Sequence, residues 1–99
     1  LNGAHEVMNI YVISVGSLNK TVIHPREVFT VAIAERAAAI IVAHNHPSGS
    51  LEPSTADFDC TKQILESSKI LGIPLLDHLI ISKDGYFSFH EKTDLFSND

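Results

Sequence analysis

The sequence contains 99 residues, of which 44% are hydrophobic and 19% are charged, and its formal net charge at pH 7 is −5. A chain of this length forms about one domain, and its apolar content is typical of a folded globular protein rather than a disordered one. Cys60 is its single cysteine, so an intramolecular disulfide is excluded. A single cysteine, which forms no disulfide within the chain, is typical of a reducing compartment, and we expect a cytoplasmic protein.

Charge and hydropathy also limit the partners of the chain. The seven basic residues are scattered between Lys20 and Lys92, whereas tight binding to nucleic acid requires cations clustered against the phosphates. No apolar run approaches the roughly 20 residues that cross a bilayer, and the N-terminal segment lacks the features of a signal peptide. We therefore expect no membrane partner and no strong nucleic-acid binding by this domain alone.

Strands and helices alternate in the predicted secondary structure. Residues 10–15 are rich in β-branched and aromatic side chains, which predicts a strand, and a turn separates them from a second short strand at residues 21–23. Pro25 occupies the first position of a predicted helix. Apolar residues recur along this helix at intervals of three and four, namely Val28, Phe29, Ala32, Ile33 and Ala37. This spacing predicts a helix with one buried face.

The alternation continues in the second half of the sequence. Residues 38–43 form an apolar run, which is typical of a strand buried on both faces, and residues 44–53 are predicted to be a loop. Ser54 is the expected N-terminal cap of a helix that ends at Gly72. The predicted loop at residues 44–53 therefore connects a buried strand to a capped helix.

The last predicted elements form an antiparallel hairpin. Residues 75–82 and 86–89 have the composition of strands, and Lys83-Asp84-Gly85 supplies the turn between them. The complete order is β-β-α-β-α-β-β. We therefore predict a single α/β domain in which helices flank a mixed β-sheet.

The candidate metal ligands are His44, His46 and Asp57. Residues two apart on an extended backbone project to the same side, so the two histidines direct their imidazoles into one space. Asp57 falls in the first turn of the following helix and can face them if the loop folds back. Two imidazoles and one carboxylate leave a fourth position for water, as in catalytic zinc sites. The same donor set can also hold Fe(II).

Each half of this pattern also has a simpler interpretation. A histidine at a strand end is commonly a polar loop residue, and Ser54-x-x-Asp57 is typical of a helix start. The two halves together are more specific, because a buried strand and a capped helix then present three donors to one loop. Capping does not exclude a second role, since the Ser54 hydroxyl has two lone pairs and one proton. We predict one metal ion per chain.

The spacing of these residues resembles a known motif. His-x-His, seven residues, Ser, two residues and Asp is the JAMM signature of the MPN, or JAB, metallopeptidases, and here it runs from His44 to Asp57. The flanking sequence is similar to one bacterial branch, the RadC family. This similarity is carried by residues 24–29, 43–49, 53–54, 75–78 and 88–89. The resemblance therefore covers nearly the whole chain.

The resemblance implies an MPN/JAB architecture, which is cytidine-deaminase-like, and the activity of a zinc-dependent metallohydrolase. His44, His46 and Asp57 match the zinc ligands of the family, and Ser54 matches the serine that stabilises the oxyanion. Zinc lowers the pKa of its bound water to about 7 and polarises the attacked carbonyl. The expected reaction is hydrolysis of a peptide or isopeptide bond, with a protein or peptide as substrate.

The resemblance also concerns the general base. In JAMM enzymes a glutamate on an early strand takes this role, and in the RadC branch it precedes a turn that Leu1-Asn2-Gly3 resembles. The matching glutamate is therefore expected upstream of Leu1, and residues 1–99 are expected to form a JAB/MPN domain without its first strand. Glu6 follows the turn and is expected to face solvent.

Two alternatives come from other functional classes. Relatives of the MPN fold that lack the full site serve as non-catalytic interaction domains. RadC proteins also carry a historical link to DNA repair, which suggests a metal-dependent nuclease, although the net charge of −5 disfavours nucleic-acid binding. Outside the motif, His78 alternates with core leucines and is expected to be a hydrogen-bonded sheet residue rather than a ligand.

Overall fold

The computed structural model describes residues 9–15, 24–46 and 51–96. Its elements follow one another as β1 (Ile10–Val15), α1 (Pro25–Ala34), β2 (Ala39–Asn45), α2 (Thr55–Leu71), β3 (Leu75–Ser82), β4 (Gly85–Ser88) and α3 (Phe89–Lys92). None of the helices in these ranges is long and apolar enough to cross a membrane. The second strand predicted at residues 21–23 lies outside the described ranges.

The four strands form one mixed sheet in the order β1-β2-β3-β4. The pairs β1–β2 and β2–β3 are parallel, and β3–β4 is the antiparallel hairpin. Parallel neighbours require a crossover connection, and here α1 and α2 lie in the two crossovers. The predicted α/β class and mixed sheet are confirmed. Because β2 lies between two parallel neighbours, its carboxyl end lies at the edge of the sheet where α/β proteins commonly bind ligands.

The core lies between this sheet and the two long helices. It includes Ile13 from β1, Val28, Phe29 and Ala32 from α1, Ile40 and Val42 from β2, and Cys60 and Ile64 from α2. These side chains come from both crossover helices, so α1 and α2 share one face of the sheet. Their packing fixes the position of α2, whose first turn carries Asp57, relative to β2.

The apolar face predicted for α1 is only partly correct. Val28, Phe29 and Ala32 are buried, but Ile33 is 56% exposed. The helix ends at Ala34, and Arg36 then adopts a positive φ of 56°. The chain therefore turns toward β2 one residue after the C-cap, and Ala37 is buried beyond the helix rather than on its face.

Two element boundaries also differ from the sequence predictions. Strand β2 continues through His44 and Asn45, which were predicted to be loop residues, because both pair with β3. Phe89 was predicted to end the last strand but begins α3 instead. The Ser88 hydroxyl oxygen accepts the backbone N–H of Glu91 at 3.1 Å, which caps this short helix and ends the strand.

Candidate metal centre

The carboxyl end of β2 positions the two histidines. His44 pairs with Val15 of β1 and Ile80 of β3, and it is 5% exposed. The backbone N–H of His46 still donates to the carbonyl oxygen of Ile81 at 2.9 Å, so the extended conformation continues past the last strand residue. The imidazole centroids of His44 and His46 lie 4.7 Å apart in an edge-to-face arrangement. Both rings therefore occupy one region, as the alternating spacing predicted.

The first turn of α2 positions Asp57, and a capping box fixes its side chain. Ser54 has the extended φ and ψ of an N-cap residue, −87° and 169°. Its hydroxyl oxygen accepts the backbone N–H of Asp57 at 3.1 Å, and the Asp57 carboxylate accepts the backbone N–H of Ser54 at 2.8 Å. Asp57 is only 3% exposed. The helix-start interpretation of these two residues is thus confirmed.

The structure brings the three predicted ligands together. His44 Nδ1 lies 3.5 Å from Asp57 Oδ1, and His46 Nε2 lies 3.6 Å from Asp57 Oδ2. One donor atom from each residue falls within 4.8 Å of the other two. Two ligand atoms held about 2.1 Å from a tetrahedral ion lie about 3.4 Å apart. Each imidazole nitrogen lies close to that distance from a different oxygen of the Asp57 carboxylate, so the three residues form a group that could hold a metal ion.

The electrostatics of His44 also favour a cation at this position. His44 Nδ1 is buried and has no hydrogen-bond partner among the residues that the structure describes. Burial lowers the pKa of His44, the neighbouring Asp57 carboxylate partly opposes that shift, and His46 adds to it. The ring is therefore neutral at pH 7, which leaves a lone pair available, as metal ligation requires. A cation would satisfy the buried nitrogen and balance the charge of Asp57.

A second buried histidine, His78, lies near the group formed by His44, His46 and Asp57, with its ring centroid 6.3 Å from that of His44. His78 is fully buried on β3, and its Nδ1 lies 2.6 Å from the hydroxyl oxygen of Thr61. The prediction that His78 is a hydrogen-bonded sheet residue is confirmed. Sequence analysis did not identify its partner, Thr61. The available signal was that Thr61 lies one helical turn after Asp57, on the same face of α2.

Comparison with known proteins agrees with this geometry. The profile of a family described as the RadC-like JAB domain matches residues 1–94. This chain belongs to the RadC-like JAB domain family. The resemblance inferred from the residues is thus confirmed, and the matched region includes every residue of the candidate site.

Similar proteins occur in several organisms. A UPF0758 protein of Alkaliphilus metalliredigens is 53% identical over 93 residues, which are 94% of this chain and 40% of that protein. A UPF0758 protein of Methanospirillum hungatei is 59% identical over 83 residues, which are 84% of this chain and 37% of that protein. This RadC-like JAB domain therefore spans about two fifths of the length of these curated relatives.

Two further candidate residues of this RadC-like JAB domain are Ser54 and Glu6. Ser54 is exposed, and its backbone and side chain both bond to Asp57. Among the described residues, the group able to hold a metal ion contains no glutamate. Glu6 and the turn at residues 1–3 lie outside the described ranges, so the expectation about the general base stays a prediction.

Proposed function

We propose that this domain is a JAMM-type metallohydrolase that binds one zinc ion and hydrolyses a peptide or isopeptide bond. The observation that carries the proposal is the convergence of His44, His46 and Asp57 from two different elements. A capping box alone explains the position of Asp57 relative to Ser54, but it does not explain why both carboxylate oxygens face imidazoles. Membership of the RadC-like JAB family supports the same assignment.

Three residues of the site would bind the metal ion, and a fourth would stabilise the oxyanion. His44, His46 and Asp57 would hold the ion and leave a position open to water and substrate, and zinc bound there supplies an activated water nucleophile and polarises the carbonyl. Ser54 would donate a hydrogen bond to the oxyanion, since its bond from the Asp57 N–H uses only a lone pair of the hydroxyl oxygen. The expected substrates are proteins or peptides.

The alternative is a metal-binding interaction domain without catalysis. General-base catalysis requires a base within hydrogen-bond reach of the attacking water and contributes about 10²–10⁴-fold. A chain that binds zinc but lacks a base in reach would keep the site as a structural feature.

The two candidates are separated by metal analysis followed by an activity assay. The purified chain is loaded with zinc and incubated with peptide and lysine-linked isopeptide libraries, and products are identified by mass spectrometry. The His46→Ala variant is compared with His24→Ala, since His24 is exposed and makes no side-chain cap bond. Cleavage that requires zinc and His46 supports the hydrolase. Zinc binding without cleavage supports the interaction domain if a longer chain that carries the glutamate expected upstream of Leu1 is also inactive. Absence of zinc binding contradicts both candidates.

A further inference from the structure

A single hydroxyl group links the ligand-bearing turn of α2 to the sheet. The Thr61 hydroxyl donates to the backbone carbonyl oxygen of Asp57 at 2.8 Å. The hydroxyl oxygen of Thr61 also lies 2.6 Å from His78 Nδ1 on β3. Thr61 and His78 are both fully buried, so water does not compete for these bonds. The chain of contacts runs from the backbone of a proposed ligand, through Thr61, to the strand beside β2.

The hydrogen bonds of Thr61 fix the tautomer of His78. A threonine hydroxyl has one proton, and Thr61 gives it to the carbonyl of Asp57. The short contact to His78 therefore requires that Nδ1 carry the hydrogen and donate it. His78 is then neutral, with its lone pair on Nε2. Burial lowers the pKa of His78 to about 4, in agreement with a neutral ring at pH 7.

Two other rings lie near the ring of His78. On one side the Phe89 ring stacks on it at a centroid distance of 4.7 Å and an interplanar angle of 10°. The His44 ring lies at 6.3 Å and 22°. Phe89 in turn is the first residue of α3, whose cap Ser88 donates its hydroxyl hydrogen to the Asp77 carboxylate at 2.6 Å. The orientation of His78 is thus set by packing as well as by its hydrogen bond.

We infer that Thr61 and His78 are positioning residues that set the distance between Asp57 and the two histidine ligands, and this inference rests on the proposed metal site. The capping box orients the Asp57 side chain relative to Ser54, within the same helix start. It does not join that helix to the sheet that carries His44. Apolar packing holds α2 on the sheet, and the Thr61–His78 pair adds a polar connection at the backbone of Asp57 itself. Hydrogen-bond partners of metal-ligating side chains contribute about 10–100-fold to metal affinity, and here the partner acts through the backbone of the ligand.

The test measures metal affinity in variants that change only this connection. Thr61→Val removes the hydroxyl and keeps the side-chain shape, Thr61→Ser restores a hydroxyl, and His78→Phe keeps a ring but removes the donor. Ser68→Ala is the matched control, because Ser68 is also buried on α2 and its hydroxyl donates to a carbonyl of the same helix, that of Leu65, at 2.6 Å. Zinc affinity is measured by competition with a chelator, and the site geometry by the visible absorption spectrum of bound Co²⁺.

We expect Thr61→Val and His78→Phe to lower zinc affinity about 10–100-fold and to change the Co²⁺ spectrum. Thr61→Ser should restore both, and Ser68→Ala should change neither, although it lowers stability. Unchanged affinity and spectrum in Thr61→Val overturn the inference, and His78→Phe gives the same comparison if Thr61→Val does not fold. NMR of the wild-type ring nitrogens must also show His78 protonated at Nδ1. Failure of the wild-type chain to bind zinc would instead contradict the proposed function.

Discussion

The carboxylate of Asp57 and the backbone N–H of Ser54 are joined at 2.8 Å through Oδ2, the oxygen that also lies 3.6 Å from His46 Nε2. The same atom therefore closes the capping box of α2 and faces a proposed metal ligand. A carboxylate oxygen can accept more than one partner, so the two roles are compatible. The helix cap holds Asp57 in place before any metal binds, which reduces the ordering that metal binding would require.

The first prediction separates the cap from the metal site. Ser54→Ala removes the hydroxyl that accepts the N–H of Asp57, and it should lower the free energy of unfolding by about 1 kcal/mol. Ser54→Asn, which can still cap, should recover most of that loss. Both variants should bind zinc at the wild-type stoichiometry, because Ser54 is not a proposed ligand. Urea unfolding and metal analysis measure the two effects, and loss of zinc from Ser54→Ala would mean that this residue supports the ion directly.

The second prediction concerns the ligands themselves. The wild-type chain should bind close to one equivalent of zinc, and His44→Ala or Asp57→Ala should abolish that binding, because two remaining protein donors are too few to retain the ion. Exposed His24 supplies the control, and His24→Ala should keep the full equivalent. Elemental analysis after dialysis measures the stoichiometry. A metal-free wild-type protein after incubation with zinc would exclude the site.

Predictions based on local signals were the most accurate. Helix α2 begins after Ser54 and ends before Gly72, because the capping box and a left-handed C-cap with φ of 73° are both encoded within a few residues. The pair His44 and His46 was also predictable, because alternation along an extended backbone is a local rule. The approach of Asp57 to these histidines was not predictable in the same way. It requires the loop between them to fold back, and no local pattern in the sequence determines that.

The predictions were wrong or incomplete where the structure depends on contacts between residues that are far apart in the sequence. Phe89 matched the alternation of a strand, but Asp77 accepts the backbone N–H of His90 at 3.0 Å and thereby stabilises a helix start at that point. The Thr61–His78 contact joins residues 17 positions apart on different elements. No periodicity along the chain reveals such a pair, because it is formed by the packing of α2 on the sheet.

A third prediction is that chelation removes the metal but leaves the fold intact. The core between the sheet and the helices consists of apolar side chains, and Asp57 is already oriented by its bonds to Ser54. This differs from zinc fingers, in which metal binding supplies the free energy of folding. The far-UV circular dichroism spectrum should therefore change little on addition of a chelator. A spectrum of random coil after chelation would contradict this prediction.

The fourth prediction tests the nuclease alternative. The net charge of −5 and the scattered basic residues provide few phosphate contacts, so DNA binding should be weak or absent at physiological salt. Any residual binding should decrease steeply as salt is raised. Fluorescence anisotropy with single-stranded and double-stranded DNA, each across a salt series, measures this. Tight binding at physiological salt would make the nuclease the leading function.

The last prediction is that the metal-free chain loses stability as the pH falls from about 6.5 to about 4. Burial, together with smaller contributions from His44 and His46, lowers the pKa of His78 to about 4, while Asp57 and Asp77 partly oppose the shift. The unfolded state therefore binds a proton on His78 that the folded state does not bind in this range, and stability decreases with decreasing pH.

The pKa shift of His78 corresponds to a loss of order 3 kcal/mol across that window. His78→Phe should be less stable than wild type near neutral pH, because Thr61 loses its hydrogen-bond donor, but its stability should depend less on pH between about 4 and 6.5. His44, whose pKa is also lowered by burial, contributes to the dependence that remains. His90→Ala, which removes an exposed histidine, serves as the control and should keep the wild-type dependence. Urea unfolding of the chelated proteins over this pH range provides the measurement, and equal slopes for wild type and His78→Phe would show that His78 is not the group responsible.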